Sequence, residues 1–105
     1  IMTLQNIIST LKTVYNKYPN IKLGIAGSYA RGEQHKNSNI DVVIIGDSTR
    51  MDIMEYIKGL FKTDVDVLWL DLLEQEDKEL DSFALQNGMN INPYSVYKNV
   101  LRDVI

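Results

Sequence analysis

Hydrophobic residues recur along this chain at two spacings, one typical of amphipathic helices and the other typical of buried strands. Residues 3–18 have the helical spacing of three and four, and Pro19 ends that segment. A second helical stripe covers residues 51–61. Further along, the pattern predicts a polar helix over 78–86 and a last helix that begins near Pro93.

Three short segments are rich in β-branched residues and predict strands. They are IKLGIA at 21–26, IDVVII at 40–45 and VDVLWL at 65–70. Gly27-Ser28 predicts a tight turn after the first strand, and the polar residues 29–39 predict a loop or a short helical turn. The pattern leaves open whether the first two strands are antiparallel or only weakly coupled. The order of elements predicts an α+β fold, with a small mixed sheet and helices packed on it, in one domain over residues 1–105.

The composition is that of a globular protein and excludes several kinds of site. The 105 residues are 45% hydrophobic and 24% charged, a balance that suits one packed core. The sequence has no cysteine, which excludes disulfides, thiolate metal sites and a cysteine nucleophile. His35 is the one histidine, so a zinc site with two histidines is excluded as well.

The charge and the apolar runs limit the partners. The formal net charge of −3 does not suit a protein that grips a long nucleic acid. Apolar runs stay far below the roughly 20 residues that cross a bilayer. We therefore expect a cytoplasmic protein without a membrane partner, while small anionic ligands stay open.

Two aspartates interrupt strands that are otherwise apolar. Asp41 is the second residue of IDVVII, and Asp66 has the same place in VDVLWL, with Asp64 two residues before it. A carboxylate in an apolar strand is costly unless it is paired, hydrogen-bonded or bound to a cation, although a strand at the margin of a sheet can turn one toward water. Neighbouring strands would bring Asp41 and Asp66 together, and Mg²⁺ is the usual counter-ion for such a pair.

Gly27 and Ser28 form the second candidate site. Glycine lets a backbone pass close to a ligand, and serine offers a hydroxyl and an amide donor, so this pair suits a phosphate. Taken alone, Gly-Ser is more often an ordinary turn.

The spacing of these residues resembles a known family. Gly27-Ser28, ten intervening residues and then Asn39-Ile40-Asp41 resemble the Gly-Ser-x10-Asp-x-Asp signature of the nucleotidyltransferase superfamily. The string GSYARGEQHKNSNIDVVI is similar to the minimal nucleotidyltransferase (MNT) domains, and Asp66 matches their third acid. The resemblance extends over essentially the whole chain.

The resemblance implies a polymerase-β-like nucleotidyltransferase fold with ATP as substrate and two Mg²⁺ ions. Gly27, Ser28 and Arg31 would contact the phosphates. Asp41 and position 39 would bridge the metals, and Asp66 would hold the metal that serves the nucleophile.

Many MNT proteins are antitoxins paired with a HEPN ribonuclease toxin, in a hetero-oligomer. The resemblance therefore implies transfer of AMP to a tyrosine of such a toxin. An alternative is an antitoxin that acts by binding alone. A third possibility, transfer to a small molecule such as an aminoglycoside, is disfavoured because it usually needs a further domain.

Position 39 departs from the family, because Asn39 replaces its first acid. An asparagine carbonyl can ligate a cation but supplies no negative charge. Three interpretations stay open: a naturally impaired enzyme, a deliberate replacement that traps a complex, and partial compensation by Asp64.

The C-terminal part carries two further candidate surfaces. The acidic segment 74–81 is predicted to be a solvated helix start that could also meet a basic partner. A last helical stripe predicts either core packing or a partner surface. Its members are Tyr94, Tyr97, Val100, Leu101 and Val104.

Overall fold

The computed structural model describes residues 2–46 and 50–105, and within them a three-stranded sheet is packed between helices. The strands are β1 (Lys22–Ala26), β2 (Ile40–Ile45) and β3 (Val65–Trp69). The helices are α1 (Leu4–Lys12), α2 (Gly27–Arg31), α3 (Met51–Gly59), α4 (Leu70–Gln86) and α5 (Val96–Asp103), and a 3-10 helix follows α1 over Thr13–Asn16. This mixed architecture confirms the predicted α+β fold. No helix in the described ranges is long and apolar enough to cross a membrane.

The sheet has the strand order β1-β2-β3, with β2 in the middle. β1 and β2 are antiparallel, which answers the question that the sequence left open. β2 and β3 are parallel and are connected through α3. In this register Asp41 lies opposite Ala26 on one side and opposite Asp66 on the other.

The alternation of side chains along β2 divides the core between the two faces of the sheet. Ile40, Val42 and Ile44 point to the face covered by α1 and α3, where the main hydrophobic cluster lies. Val43 points to the opposite face and packs with Val100 of α5 in a smaller cluster. Asp41 therefore lies on the face that α4 and α5 cover.

Helices α4 and α5 are joined by one lysine. Lys98 Nζ donates hydrogen bonds of 2.9 Å to both carboxylate oxygens of Asp81 and lies 3.6 Å from Asp77 Oδ2. Asp77 is only 5% exposed, and its Oδ1 has no hydrogen-bond partner. A buried carboxylate is costly without a cation nearby, so Lys98 fixes how α4 and α5 pack. The prediction that segment 74–81 is a solvated helix start is thus wrong at Asp77, which is buried.

The structure corrects one predicted start of a helix and one predicted turn. α4 begins at Leu70, immediately after β3, and not near Lys78, because Leu70 and Leu73 pack on the second cluster. The sequence pattern places Leu70 in the preceding strand. Gly27 and Ser28 form the first residues of α2, where the sequence predicted a tight turn. The other predicted helices and strands are confirmed to within a few residues at each end.

The predicted stripe near the C-terminal end is divided between core and surface. Val100 is buried, and Val104 packs against the same small cluster. Tyr94 and Leu101 are exposed. Past α5 the backbone turns back to the sheet, where Ile105 and Ile25 exchange backbone hydrogen bonds of 2.9 and 3.0 Å.

Val104 and Ile105 lie close to β1 at Gly24, so a substitution of Gly24 tests how this C-terminal segment packs on the strand. A Cβ at Gly24 would lie 2.7 Å from Val104 Cγ2 and 3.1 Å from the backbone oxygen of Ile105, so Gly24→Ala must displace the segment. We expect the free energy of unfolding to fall by about 1–3 kcal/mol, as for other overpacked sites. The measurement is urea unfolding followed by circular dichroism.

Gly59→Ala is the matched control for that substitution. A Cβ at Gly59, in the last turn of α3, would meet nothing within 4 Å. We expect this variant to gain about 0.5–1 kcal/mol, because alanine is the better helix residue. Equal effects of the two substitutions would contradict the packing described for β1.

Candidate active site

Asp41 and Asp66 form the centre of the site. They are the second residues of parallel neighbouring strands, and their Cα atoms are register partners. Both side chains point to the α5 face of the sheet, and the two residues line the same cleft. The sequence prediction that these two acids meet is therefore realised by the parallel pairing of β2 and β3.

The electrostatics of Asp41 reflect this crowding. Burial raises the pKa of the Asp41 carboxyl, and the nearby charge of Asp66 and a hydrogen bond with it raise the pKa further. The Arg31 guanidinium acts in the opposite direction. A carboxylate that is destabilised by a like charge gains most from a bound cation.

Gly27 allows the backbone to pass directly beside Asp41. Its φ of 69° lies in the left-handed region, where residues with a Cβ are strained. A Cβ on Gly27 would also overlap Asp41 Oδ2, far inside van der Waals contact. Both the backbone conformation and the neighbouring carboxylate therefore require glycine at this position.

A cleft of about 480 Å³ opens over these residues. Gly27, Arg31, Asp41 and Asp66 all line it, so four of the predicted site residues share one cavity. Its other walls come from α3, β3 and α5. Those wall residues are Met54, Lys58, Val67, Leu68, Val96, Asn99, Val100 and Asp103.

Arg31 is held at the side of the cleft by two acids. Its Nη1 donates a hydrogen bond of 2.8 Å to Asp103 Oδ2, and its Nε donates one of 3.1 Å to Glu33 Oε2. These hydrogen bonds raise the pKa of Arg31 above its ordinary value, so the guanidinium stays charged. Glu33 and Asp103 partly compensate the charge of Arg31, and the hydrogen bond to Asp103 fixes the orientation of the Arg31 side chain.

Asn39 and Ser28 are placed differently from the other predicted residues. Asn39 is exposed just before β2, and it lines a second cleft of about 390 Å³ together with Asp64 and Asp66. Ser28 lies in α2 and is not among the residues that line the first cleft. Asp66 therefore lines both clefts, whereas Asn39 lines the second cleft and not the first.

Lys58 is a site residue that the sequence analysis did not single out. It lies in the last turn of α3 and lines both clefts. The sequence contains a feature that could have indicated Lys58, because a helix that connects two parallel strands ends near the start of the second strand. The acids occupy the starts of β2 and β3, so a base in the last turn of α3 lies beside them. Asn99 and Asp103 were missed because no local pattern shows that α5 covers this face.

The donor set fits a divalent cation that the protein binds together with its substrate. Within residues 2–46 and 50–105, no cluster of three or more histidine, cysteine, aspartate or glutamate side chains could hold a metal ion. Asp41 and Asp66 supply two carboxylates, and Mg²⁺ commonly takes one or two carboxylates together with phosphate oxygens and water. The first cleft also has three carboxylates against two bases, which disfavours a polyphosphate that arrives without a metal ion.

Comparisons with known proteins agree with this arrangement. The model of the nucleotidyltransferase domain family matches residues 6–89, which include β1, β2, β3 and the acid pair. A solved structure described as a candidate minimal nucleotidyltransferase is similar to the chain, with a TM-score of 0.62 at 19% sequence identity. The similarity covers 99% of this chain and 95% of the solved one, and at this identity it concerns the fold.

Among the curated proteins, no sequence matches this chain. The family match nevertheless covers most of the 105 residues and contains the glycine turn and both acids. The chain therefore belongs to the nucleotidyltransferase domain family.

Proposed function

We propose that this protein transfers AMP from Mg·ATP to a tyrosine hydroxyl of a HEPN ribonuclease toxin and thereby neutralises the toxin. The observation that carries the proposal is the pair Asp41 and Asp66, which faces a cleft beside Gly27, where both φ and the close approach to Asp41 favour glycine. Membership of the nucleotidyltransferase family supports the general reaction. The tyrosine acceptor and the toxin come from the resemblance to MNT antitoxins.

In the proposed reaction the tyrosine oxygen attacks the α-phosphorus of ATP. A new oxygen–phosphorus bond forms, the bond from the α-phosphorus to the bridging oxygen breaks, and pyrophosphate leaves with that electron pair. The hydroxyl proton passes to water or to a carboxylate of the acid pair. Mg²⁺, when bound, supplies positive charge that stabilises the attacking and leaving oxygens.

Each residue of the cleft has a role in this proposal. Asp41 and Asp66 hold Mg²⁺, and Gly27 lets the phosphate chain approach the acids. Lys58 and Arg31 are the bases on the walls and attract the phosphates. Asn39 and Ser28 keep their predicted roles as a metal ligand and a phosphate contact.

A second candidate function is neutralisation by binding alone. The observation that favours it is Asn39, which supplies a neutral oxygen where the family motif has a carboxylate. The acid pair would then bind Mg²⁺ and nucleotide weakly, and the partner would be masked without being modified.

The mass of the modified partner distinguishes these two functions. A co-expressed HEPN-domain partner is incubated with Mg·ATP and either this chain or its Asn39→Asp variant, and its intact mass is measured. We expect the variant to add AMP units faster than the unmodified chain, because a third carboxylate strengthens metal binding. Asp41→Asn in the Asn39→Asp background is the negative control.

Each outcome of this experiment assigns a function. Transfer by the Asn39→Asp variant alone identifies the unmodified chain as the impaired form of a real site. Transfer by both makes Asp64, in the second cleft, the next residue to replace. If neither transfers AMP but both silence the ribonuclease, transfer is refuted and binding alone remains.

Gly27→Ala tests the close approach to Asp41. The added Cβ must displace the Asp41 carboxylate, so we expect Mg·ATP-dependent transfer to fall about 100-fold or more. Gly32→Ala is the matched control, because Gly32 has a φ of 72° but a Cβ there would meet nothing within 4 Å. Both variants should lose about 1–2 kcal/mol of stability through backbone strain. Gly27→Ala should lose more than Gly32→Ala because of the overlap with Asp41, and only Gly27→Ala should lose activity. Equal losses of activity would contradict the role given to Gly27.

Lys58→Gln tests the base that lines both clefts. We expect it to weaken Mg·ATP binding about tenfold, since a charge-assisted contact to phosphate is lost. Lys62→Gln is the control, because Lys62 lines the second cleft and not the first. Isothermal titration with Mg·ATP gives both affinities, and a larger effect at Lys62 would assign the phosphates to the second cleft.

A further inference from the structure

Helix α4 carries an apolar stripe on its outer face. Leu72, Leu80 and Phe83 are 46%, 64% and 60% exposed, although they are large hydrophobic side chains. Their spacing of eight and three residues places them along one face of the helix. The inner face is different, since Leu73 packs against the second cluster and Ala84 is buried. We call Leu72, Leu80 and Phe83 the α4 stripe.

Further exposed hydrophobic residues lie near and beyond the C-terminal end of α4, outside the α4 stripe. Other large hydrophobic residues beyond the middle of α4 are also at least 40% exposed. They are Leu85, Met89, Ile91, Tyr94, Val96, Leu101 and Ile105. Single exposed hydrophobic residues are common on proteins, but an aligned series of them is typical of a surface that binds a partner.

Two glutamates determine which partner this surface suits. Glu76 lies four residues from both Leu72 and Leu80 and is therefore within the α4 stripe, whereas Glu79 lies four residues before Phe83 and is at the side of the stripe. Both are exposed. Lys78 pairs with Glu74 at 2.9 Å and lies on another side of the helix, where it does not neutralise them. The stripe is therefore apolar, with one acid within it and one acid beside it.

A second copy of the chain fits this surface poorly. In a symmetric antiparallel contact with its two-fold axis near the middle of the stripe, a residue on one side of the axis meets the residue at the same distance on the other side in the second copy. Glu76 and Glu79 lie on either side of that middle, so the glutamates of one copy would face those of the other. Close like charges oppose such a dimer.

We propose that the α4 stripe is a docking surface for an amphipathic helix of a partner protein, with apolar residues flanked by lysine or arginine. The partner's apolar residues would cover Leu72, Leu80 and Phe83, and its bases would meet Glu76 and Glu79. This proposal rests on the partner-binding part of the proposed function and names the chemistry of that contact. It does not depend on nucleotidyl transfer.

The test uses a fluorescein-labelled amphipathic peptide of leucine and lysine, about 18 residues long so that it can form a helix. Fluorescence anisotropy measures its affinity for the full chain, and a leucine–glutamate peptide of the same pattern is the charge control. We expect Leu80→Ser with Phe83→Ser to weaken binding by about tenfold or more. Glu76→Lys with Glu79→Lys should weaken it as well and should reduce its dependence on salt.

Leu85→Ser is the matched control within the same helix. Leu85 is 64% exposed, as Leu80 is, but it lies five residues further on and therefore on a different side of α4. Its replacement removes a similar apolar surface and should change the affinity less than about twofold. Circular dichroism of each variant verifies that α4 is still folded.

Several results would overturn the proposal. These are an equal loss of affinity in Leu85→Ser, equal binding of the leucine–glutamate peptide, no binding of either peptide, or a dimer in sedimentation that Leu80→Ser dissociates. Asp41→Asn should leave peptide binding unchanged. If AMP transfer fails but the peptide binds as expected, only the proposed nucleotidyl transfer is refuted. If AMP transfer occurs but the stripe variants and Leu85→Ser weaken peptide binding equally, only the proposed docking surface is refuted.

Discussion

The parallel pairing of β2 with β3 is the constraint on which the site depends. It places Asp41 beside Asp66 on one face of the sheet, and backbone hydrogen bonds along both strands maintain this register. A slip by one residue would turn Asp41 into the main core and expose Ile40 or Val42. The hydrophobic packing of β2 thus maintains the acid pair, although the pair itself is electrostatically unfavourable.

The opposite wall of the cleft depends on a different set of contacts. α5 supplies Asn99, Val100 and Asp103 to the cleft, and Lys98 ties this helix to α4. The near-complete burial of Asp77 makes this connection specific, because a carboxylate there requires the lysine. The position of Arg31 follows from the same wall through its hydrogen bond to Asp103.

Local patterns in the sequence were sufficient for the strands and for the acid pair. IDVVII and VDVLWL each place one acid at the second position of a strand, and parallel neighbours align equal positions. The start of α4 was not predictable in this way, since Leu70 and Leu73 read equally well as an extension of β3. Lys58, Asn99 and Asp103 join the cleft through tertiary packing, which no local periodicity encodes.

The backbone pairing of Ile105 with Ile25 has a consequence for the behaviour of the protein at high concentration. β1 is an outer strand, and its backbone groups away from β2 would otherwise be open to a strand from another molecule. Ile105 occupies both the N–H and the C=O of Ile25. Strand addition at this margin is therefore blocked at Ile25, which protects the β1 margin of the sheet from pairing with a strand of another molecule.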